Sequence, residues 1–254
     1  TFLEQDKAHT NSKIYTPDGK QLYGALSVNP GGEKFYGAFY GPKHEYSEGL
    51  EAFQQTAVYK AVTNSDPIAK TVPKTFAESA QTIQQQRDAS DMITMDYIMN
   101  QQDRFGNVHK KSYWHYLDDG EKKTKSADDA DAEEMKAKGA VLVDELVLKD
   151  NDCGVAKSNK IKKAGILEKL RHISPKTYRK TIDLAERLQQ PEVQQYFKDQ
   201  LFFTEEDLNG TNGIVKNAIQ AAKILSTNCK SGLLKVDLDI ERHLGLQDGT
   251  NACP

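Results

Sequence analysis

The stretch MDYIMNQQDRFGNVH, residues 95–109, decides how the fold is interpreted. Its first residues continue an apolar pattern that begins at Met92 and has apolar side chains on most sides, which is typical of a helix in a core. The polar residues that follow include Asp103, Arg104 and Asn107. Because a rigid helix would hold this loop, Asp103 is suitably placed to act on a reacting hydroxyl. A polar turn at the end of a helix is the simpler interpretation of the same residues.

A second stretch, LVLKDNDCG at residues 146–154, ends a β-prone run with Asp150. The residues after Asp150 favour a tight turn beside a metal ion, which makes Asp150 a candidate ligand. Two β-prone runs, SYWHYL and AVLVDELVLKDN, lie between Asp103 and this turn and are predicted to pair as a hairpin. Residues 118–138 between the runs are highly charged and are expected to form a flexible loop. The hairpin would allow Asp103 and Asp150 to share one site.

The rest of the chain predicts an α+β protein. The first third suggests a small three-stranded antiparallel sheet, followed by a helix with Ser47 as its N-cap. A helical segment after the Pro-containing connector is expected to break near residues 88–90, and the chain is mostly helical from Ile161, with Ser174 and Pro175 starting one helix. We therefore expect residues 1–73 to form a smaller lobe and residues 74–254 a larger, mostly helical one.

Composition excludes several classes of protein. The 254 residues carry a formal net charge of −3, so we expect no nucleic-acid partner, and no apolar stretch is long enough for a membrane span. The cysteines lack the spacing of a zinc site. Cys229 and Cys253 could close a loop in an oxidising compartment with Cys153 left free, and three reduced thiols are the alternative.

Taken together, MDYIMNQQDRFGN and LVLKDNDCG resemble motifs of the secretory-pathway kinase family, which includes the Golgi casein kinase, the glycosaminoglycan xylosylkinase and Four-jointed. They are similar, more distantly, to motifs of HipA-type and lipid kinases. The resemblance implies a two-lobed, atypical protein-kinase-like fold. It also implies an ATP-dependent enzyme that transfers the γ-phosphoryl group to a hydroxyl of a protein or glycan, with Mg²⁺ or Mn²⁺ as cofactor. A secreted, periplasmic or secretory-pathway location is favoured over the cytoplasm.

The resemblance also implies roles for individual residues. Asp103 matches the catalytic aspartate of the family, and Asp150 matches the aspartate that binds the metal. Asn107 is expected to contact the metal and the nucleotide. In the helix around EGLEAF, Glu51, with Glu48 as second choice, should position a phosphate-binding lysine. Lys34 is the first candidate for that lysine, and Lys43 is the alternative.

Two departures from the family pattern support other interpretations. Asn107 lies one position earlier than the second polar ligand of the family, and Asn29 stands before Pro30 where the family has its phosphate-binding lysine. The second hypothesis is therefore a catalytically silent kinase-like module that binds a partner or a nucleotide. A plain helical binding domain without nucleotide is the third.

Overall fold

The computed structural model describes residues 14–15, 21–22, 33–34, 46–71, 75–101, 104, 108–148, 160–246 and 253. The chain divides into two compact units, Thr1–Gly31 and Gly32–Pro254. In the first unit, β1 (Ile14–Tyr15) pairs antiparallel with β2 (Gln21–Leu22). The expected three-stranded sheet of the first third falls largely outside the described residues. The lobe boundary expected near residue 73 is not established by this division and stays a prediction.

The second unit is predominantly helical. Its helices, in chain order, are α1 (Tyr46–Gln55), α2 (Ala57–Val62), α3 (Ile68–Thr71), α4 (Phe76–Met99), α5 (Ala132–Ala137), α6 (Lys160–Lys163), α7 (Ile166–Lys169), α8 (Pro175–Arg187), α9 (Pro191–Leu201), α10 (Glu205–Asn209), α11 (Ile214–Lys230) and α12 (Ile240–His243). Among the helices that the structure describes, none combines the length and the apolarity that crossing a bilayer demands.

The sheet of the second unit is built around β4 (Val108–Asp118). β6 (Val141–Leu148) pairs antiparallel with one edge of β4, so that Val108 lies opposite Leu148. β3 (Glu33–Lys34) and β5 (Glu121–Ser126) pair antiparallel with different parts of the other edge. The sheet is therefore three strands wide where β6 overlaps β3 or β5 along β4, and the chain is a mixed α+β protein. The predicted pairing of the two β-prone runs is confirmed.

The charged segment between these runs is ordered, so the expectation of a flexible loop is wrong. Asp119 and Gly120 turn the chain with positive φ angles of 51° and 81°, and β5 then returns along β4. A short 3₁₀ turn follows, and α5 anchors the segment by burying Met135. β5 lacks an apolar pattern because its pairing with β4, rather than burial of its own side chains, holds it in place.

The helix α4 is continuous, so the expected break near residues 88–90 is wrong. Asp88, at the expected break, instead bonds the outer edge of β6, as does Gln81 two turns earlier. Gln81 accepts the backbone N–H of Asp144 at 2.9 Å and donates to its carbonyl at 3.1 Å. Asp88 Oδ2 accepts the N–H of Leu146 at 2.9 Å. Since unpaired strand edges favour aggregation, these contacts also protect the sheet.

The largest hydrophobic core joins α4 to the helices on both sides of it. Phe53 of α1 and Val62 of α2 are buried in the same cluster as Met92 and Ile93 of α4 and Leu225 of α11. A smaller cluster packs beneath the sheet: Ile68, Ala80, Ile83, Val143, Leu238 and Ile240. The long helix α4 is thus the central scaffold, because it contributes to both clusters.

In the C-terminal half, the structure confirms one prediction and decides between two alternatives that the sequence left open. Ser174 is the N-cap of α8, its hydroxyl accepting the N–H of Thr177 at 3.0 Å, and Pro175 occupies the first turn. Cys229 and Cys253 form a disulfide with a Cα–Cα distance of 5.8 Å, which decides against three reduced thiols. Cys153 lies outside the described residues.

Candidate functional site

The two motif segments adjoin the same end of the β4–β6 hairpin. Val108, the first residue of β4, lies opposite Leu148, the last residue of β6. Asp103 and Asn107 precede Val108 in sequence and Asp150 follows Leu148, and all three lie outside the described residues. Their expected roles therefore stay predictions. The described residues around these segments, Asp96, Asn100, Arg104, Val108, Leu148 and Lys162, are called the site frame below.

The strongest contact of the site frame is the ion pair between Arg104 and Asp96. Arg104 Nε lies 3.1 and 2.9 Å from the two carboxylate oxygens of Asp96, and one terminal nitrogen lies 2.8 Å from Oδ1. Both side chains are 0% exposed. Burial raises the pKa of Asp96 to about 6, although the Arg104 hydrogen bonds act to lower it. The residue that directly follows Asp103 is thus fixed to the helix that precedes the loop.

A buried amide network holds the end of α4. Asn100, the left-handed C-cap of α4, donates to the carbonyl of Asn212. Asn217 of α11 donates to Asn100 Oδ1 at 3.0 Å and to the carbonyl of Ile98 at 3.1 Å. Lys162 donates in turn to Asn217 Oδ1 at 2.9 Å. Because Lys162 belongs to the first described helix after Asp150, this network joins the described flanks of both motif segments.

The two predicted upstream residues, Lys34 and Glu51, have different positions relative to the site frame. The backbone of Lys34 lies opposite His109, one residue from Val108, so β3 reaches the same end of β4 as the site frame. Glu51 is exposed on α1, whereas Leu50 and Phe53 of the same helix are buried in the core. The structure thus brings the backbone of Lys34 to the frame and leaves Glu51 on the outer side of its helix.

An apolar cleft of about 380 Å³ adjoins the site frame between α4 and α8. Leu148, which belongs to the frame, and Met99, which directly precedes Asn100, contribute to its lining. At its polar part, the hydroxyl of Thr177 donates to Asp91 Oδ1 at 2.5 Å, and burial raises the pKa of Asp91. The volume lies within the range of small-molecule sites. Sequence reasoning singled out neither Asp91 nor Thr177 as a site residue.

The predicted metal site depends on residues that the structure does not describe. Within the described ranges, no group of three or more His, Cys, Asp and Glu side chains is positioned to hold a metal ion. The predicted ligands Asp150 and Asn107 lie outside those ranges. Carboxylate and amide oxygens are ligands that Mg²⁺ and Mn²⁺ accept, so the predicted donor set has suitable chemistry.

Sequence reasoning also missed Asp96, which belongs to the site frame, and Asn217, which hydrogen-bonds two of its members. A signal for Asp96 was present, because a carboxylate within an apolar helix requires a partner, and Arg104 follows eight residues later. Asn217 lies in an ordinary amphipathic helix, α11, far along the chain from Asn100. Its role depends on tertiary packing, for which the sequence offered no comparable sign.

Comparison with protein-family models, curated proteins and solved structures finds no match to this chain. The likeness to secretory-pathway kinases therefore rests on the two motifs. The structure itself has a mixed α+β architecture.

Proposed function

We propose that this protein is an atypical kinase that transfers the γ-phosphoryl group of ATP to a hydroxyl of a protein or glycan. The observation that carries the proposal is the β4–β6 register, in which Val108 lies opposite Leu148. Asp103 is five residues before Val108, and Asp150 is two residues after Leu148. These spacings limit the reach from the hairpin end to about 18 Å and about 7 Å, respectively. Both carboxylates are thus within reach of a shared metal–nucleotide site.

The proposed roles follow from the needs of phosphoryl transfer, which depends on positioning and charge stabilisation more than on covalent chemistry. Asp103 orients or deprotonates the acceptor hydroxyl. Asp150 binds Mg²⁺ or Mn²⁺, which neutralises charge on the phosphates, and Asn107 assists. Lys34 contacts the phosphates, in agreement with the position of its backbone beside the same end of β4.

The site frame supplies the rigidity that this chemistry requires. Catalytic groups must be held close to a productive geometry by locked neighbours. The buried pair of Arg104 and Asp96 fixes the chain next to Asp103, and the network of Asn100, Asn217 and Lys162 holds the flanking helices. The adjoining apolar cleft offers space for an apolar part of the acceptor.

Phosphate incorporation from labelled ATP tests the proposal. The protein is incubated with Mg²⁺ or Mn²⁺ and with generic protein and glycan acceptors, and self-incorporation is measured in parallel. We expect Asp150→Ala and Asp103→Ala each to reduce incorporation by about 10²-fold or more, since each removes a group that acts in the transition state. Asp129→Ala is the matched control, because Asp129 is exposed in the 3₁₀ turn after β5. Equal incorporation by Asp150→Ala and the wild type contradicts the proposal.

The exposed position of Glu51 favours a second candidate, a catalytically silent kinase-like module that binds a partner. A helix glutamate that positions a phosphate-binding lysine is expected to face the nucleotide site, and Glu51 is on the outer side of α1. Thermal unfolding with ATP and Mn²⁺ distinguishes the candidates, because a ligand that binds the folded state raises the melting temperature. A metal-dependent shift with ATP favours the kinase, and no shift favours the silent module.

A further inference from the structure

A second cavity, of about 240 Å³, lies near the beginning of α8 and has a mainly polar and charged lining. Its cationic side chains come from three separate elements: Arg87 of α4, Lys122 of β5, and Lys176 and Arg179 of α8. The carboxylates among the lining residues are Asp239 and Glu241. We call this feature the cationic cavity. Arg87 precedes Met99 by twelve residues, or about 18 Å along α4, so the cavity is distinct from the proposed kinase site.

The two cations on α8 are available to a ligand. Lys176 and Arg179 are both exposed at the cavity. Within the part of the chain that the structure describes, neither side chain forms an ion pair with a carboxylate at 4 Å or less. They belong to adjacent turns of the helix, three residues apart, and therefore project on the same side.

Of the two inner cations, Lys122 contacts a neutral amide and Arg87 forms a long ion pair with Asp91. Lys122 Nζ donates to the neutral Oε1 of Gln84 at 3.3 Å. Arg87 Nε lies 3.9 Å from Asp91, which also accepts the short hydrogen bond from Thr177. Burial, followed by the charge of Arg87, lowers the pKa of Lys122, while the charges of Glu145, Glu241 and Asp88 act in the opposite direction. An anion between these side chains would relieve the repulsion.

The acidic residues of the lining leave an excess of positive charge. Asp239 Oδ1 accepts the backbone N–H groups of Glu241 at 3.1 Å and of Arg242 at 3.2 Å, so this carboxylate caps α12. Glu241 is the other carboxylate, and its charge acts on Lys122. Four cations thus face two carboxylates, one of which serves as a helix cap.

We propose that the cationic cavity binds a small oxyanion that carries a phosphoryl group, either free phosphate or a small phosphate ester. The forked guanidinium groups of Arg87 and Arg179 and the ammonium groups of Lys122 and Lys176 suit the tetrahedral oxygens of such a ligand. The cavity volume corresponds to about eight water molecules, which is enough for inorganic phosphate or a short ester. This binding site goes beyond the proposed phosphoryl transfer and does not depend on it.

Isothermal titration calorimetry tests this proposal. Inorganic phosphate and glycerol phosphate are titrated separately, and chloride keeps the ionic strength constant. ATP and divalent metal are omitted, so the result is independent of kinase activity. The test variant is Lys176→Gln with Arg179→Gln. The control variant is Lys180→Gln with Lys223→Gln, which removes the same charge from two exposed lysines that do not line the cationic cavity.

We expect saturable binding of one anion by the wild type and the control, and binding weaker by roughly tenfold or more in the test variant. Tighter binding of phosphate than of the ester identifies the free anion as the ligand, and the reverse order identifies the ester. The proposal is overturned if the wild type shows no saturable binding of either probe, or if both double variants bind as tightly as the wild type. Equal weakening in both double variants also overturns it, because net charge alone would then explain the effect.

Discussion

Replacement of Arg104 by methionine tests whether the site frame depends on its buried ion pair. Methionine keeps the unbranched apolar stem of the side chain but is shorter and removes at least the three hydrogen bonds to Asp96. The carboxylate of Asp96 is then left buried without this cation. Breaking a fully buried pair in this way costs about 3–5 kcal/mol of unfolding free energy. We expect Arg104→Met to be destabilised by that amount at pH 8.

The loss of unfolding free energy in Arg104→Met should depend on pH, because Asp96 titrates. Its pKa in the folded protein is about 6, above the ordinary value of 3.8, so the folded state binds the proton more tightly than the unfolded state. Removal of Arg104, which acts to lower this pKa, raises it further. The protonated carboxyl is tolerated without a cation, whereas the ionised form is not. The loss of stability in Arg104→Met should therefore be smaller at pH 5 and should increase as the pH rises to 8.

Urea unfolding followed by far-ultraviolet circular dichroism at pH 5 and pH 8 measures both effects. The double variant Asp96→Leu with Arg104→Met removes both charges and serves as the comparison. We expect it to regain most of the lost stability, because an apolar pair replaces a buried ion pair with little net cost. A loss below about 1 kcal/mol for Arg104→Met at pH 8 would refute the reasoning. So would a double variant that is as unstable as the single one.

Two further predictions concern α4 and the C-terminus. Burial raises the pKa of Asp88 to about 7, so the stability contributed by its protonated form is present below pH 4 and is lost as the pH rises through 7. Asp88→Asn should remove this dependence and raise the unfolding free energy at pH 8 by about 1–4 kcal/mol; an unchanged slope of stability against pH in urea unfolding would contradict this cause. Cys253→Ser opens a loop with a sequence separation of 24 and should lower stability by about 3 kcal/mol. The same loss should follow mild reduction of the wild type, and an unaffected melting temperature in both cases would contradict the stabilising role of the disulfide.

Local sequence signals were sufficient to predict elements whose structure depends mainly on their own segment. Ser174 and Pro175 mark the start of α8 because a hydroxyl cap and a fixed φ angle act within a single turn. The hairpin of β4 and β6 was also predictable, since both strands are β-prone over several residues. The disulfide could only be left open, because connectivity depends on which cysteines the fold brings together.

The wrong structural predictions concern polar residues whose partners are supplied by tertiary contacts. The polar residues around Asp88 led to the expectation of a helix break, yet in the structure Asp88 and Gln81 bond backbone N–H groups at the edge of β6. The charges of β5 suggest a solvated loop, but its backbone pairs with β4. The cationic cavity was not predictable for the same reason, because its cations come from three elements that are distant in sequence.

The candidate kinase site was predicted from short motifs, and the fold adds the frame around it. The order of helix, Asp-Arg segment, hairpin and Asp-Asn segment is consistent with the described residues, and the register of β4 and β6 supports a shared site. Asp103 and Asp150 themselves lie outside the described residues. Arg104, the residue after Asp103 in sequence, is anchored to α4 by its buried ion pair with Asp96.

The most direct test of the central proposal is a crystal structure of the protein with Mn²⁺ and a non-hydrolysable ATP analogue. The anomalous signal of manganese locates the metal relative to the two predicted carboxylates. We expect the metal to be bound by Asp150 and to bridge the nucleotide phosphates, with the carboxylate of Asp103 in the same cavity and within about 10 Å of that of Asp150. Carboxylates that face different cavities, or manganese bound away from Asp150, would contradict the assignment of this site to phosphoryl transfer.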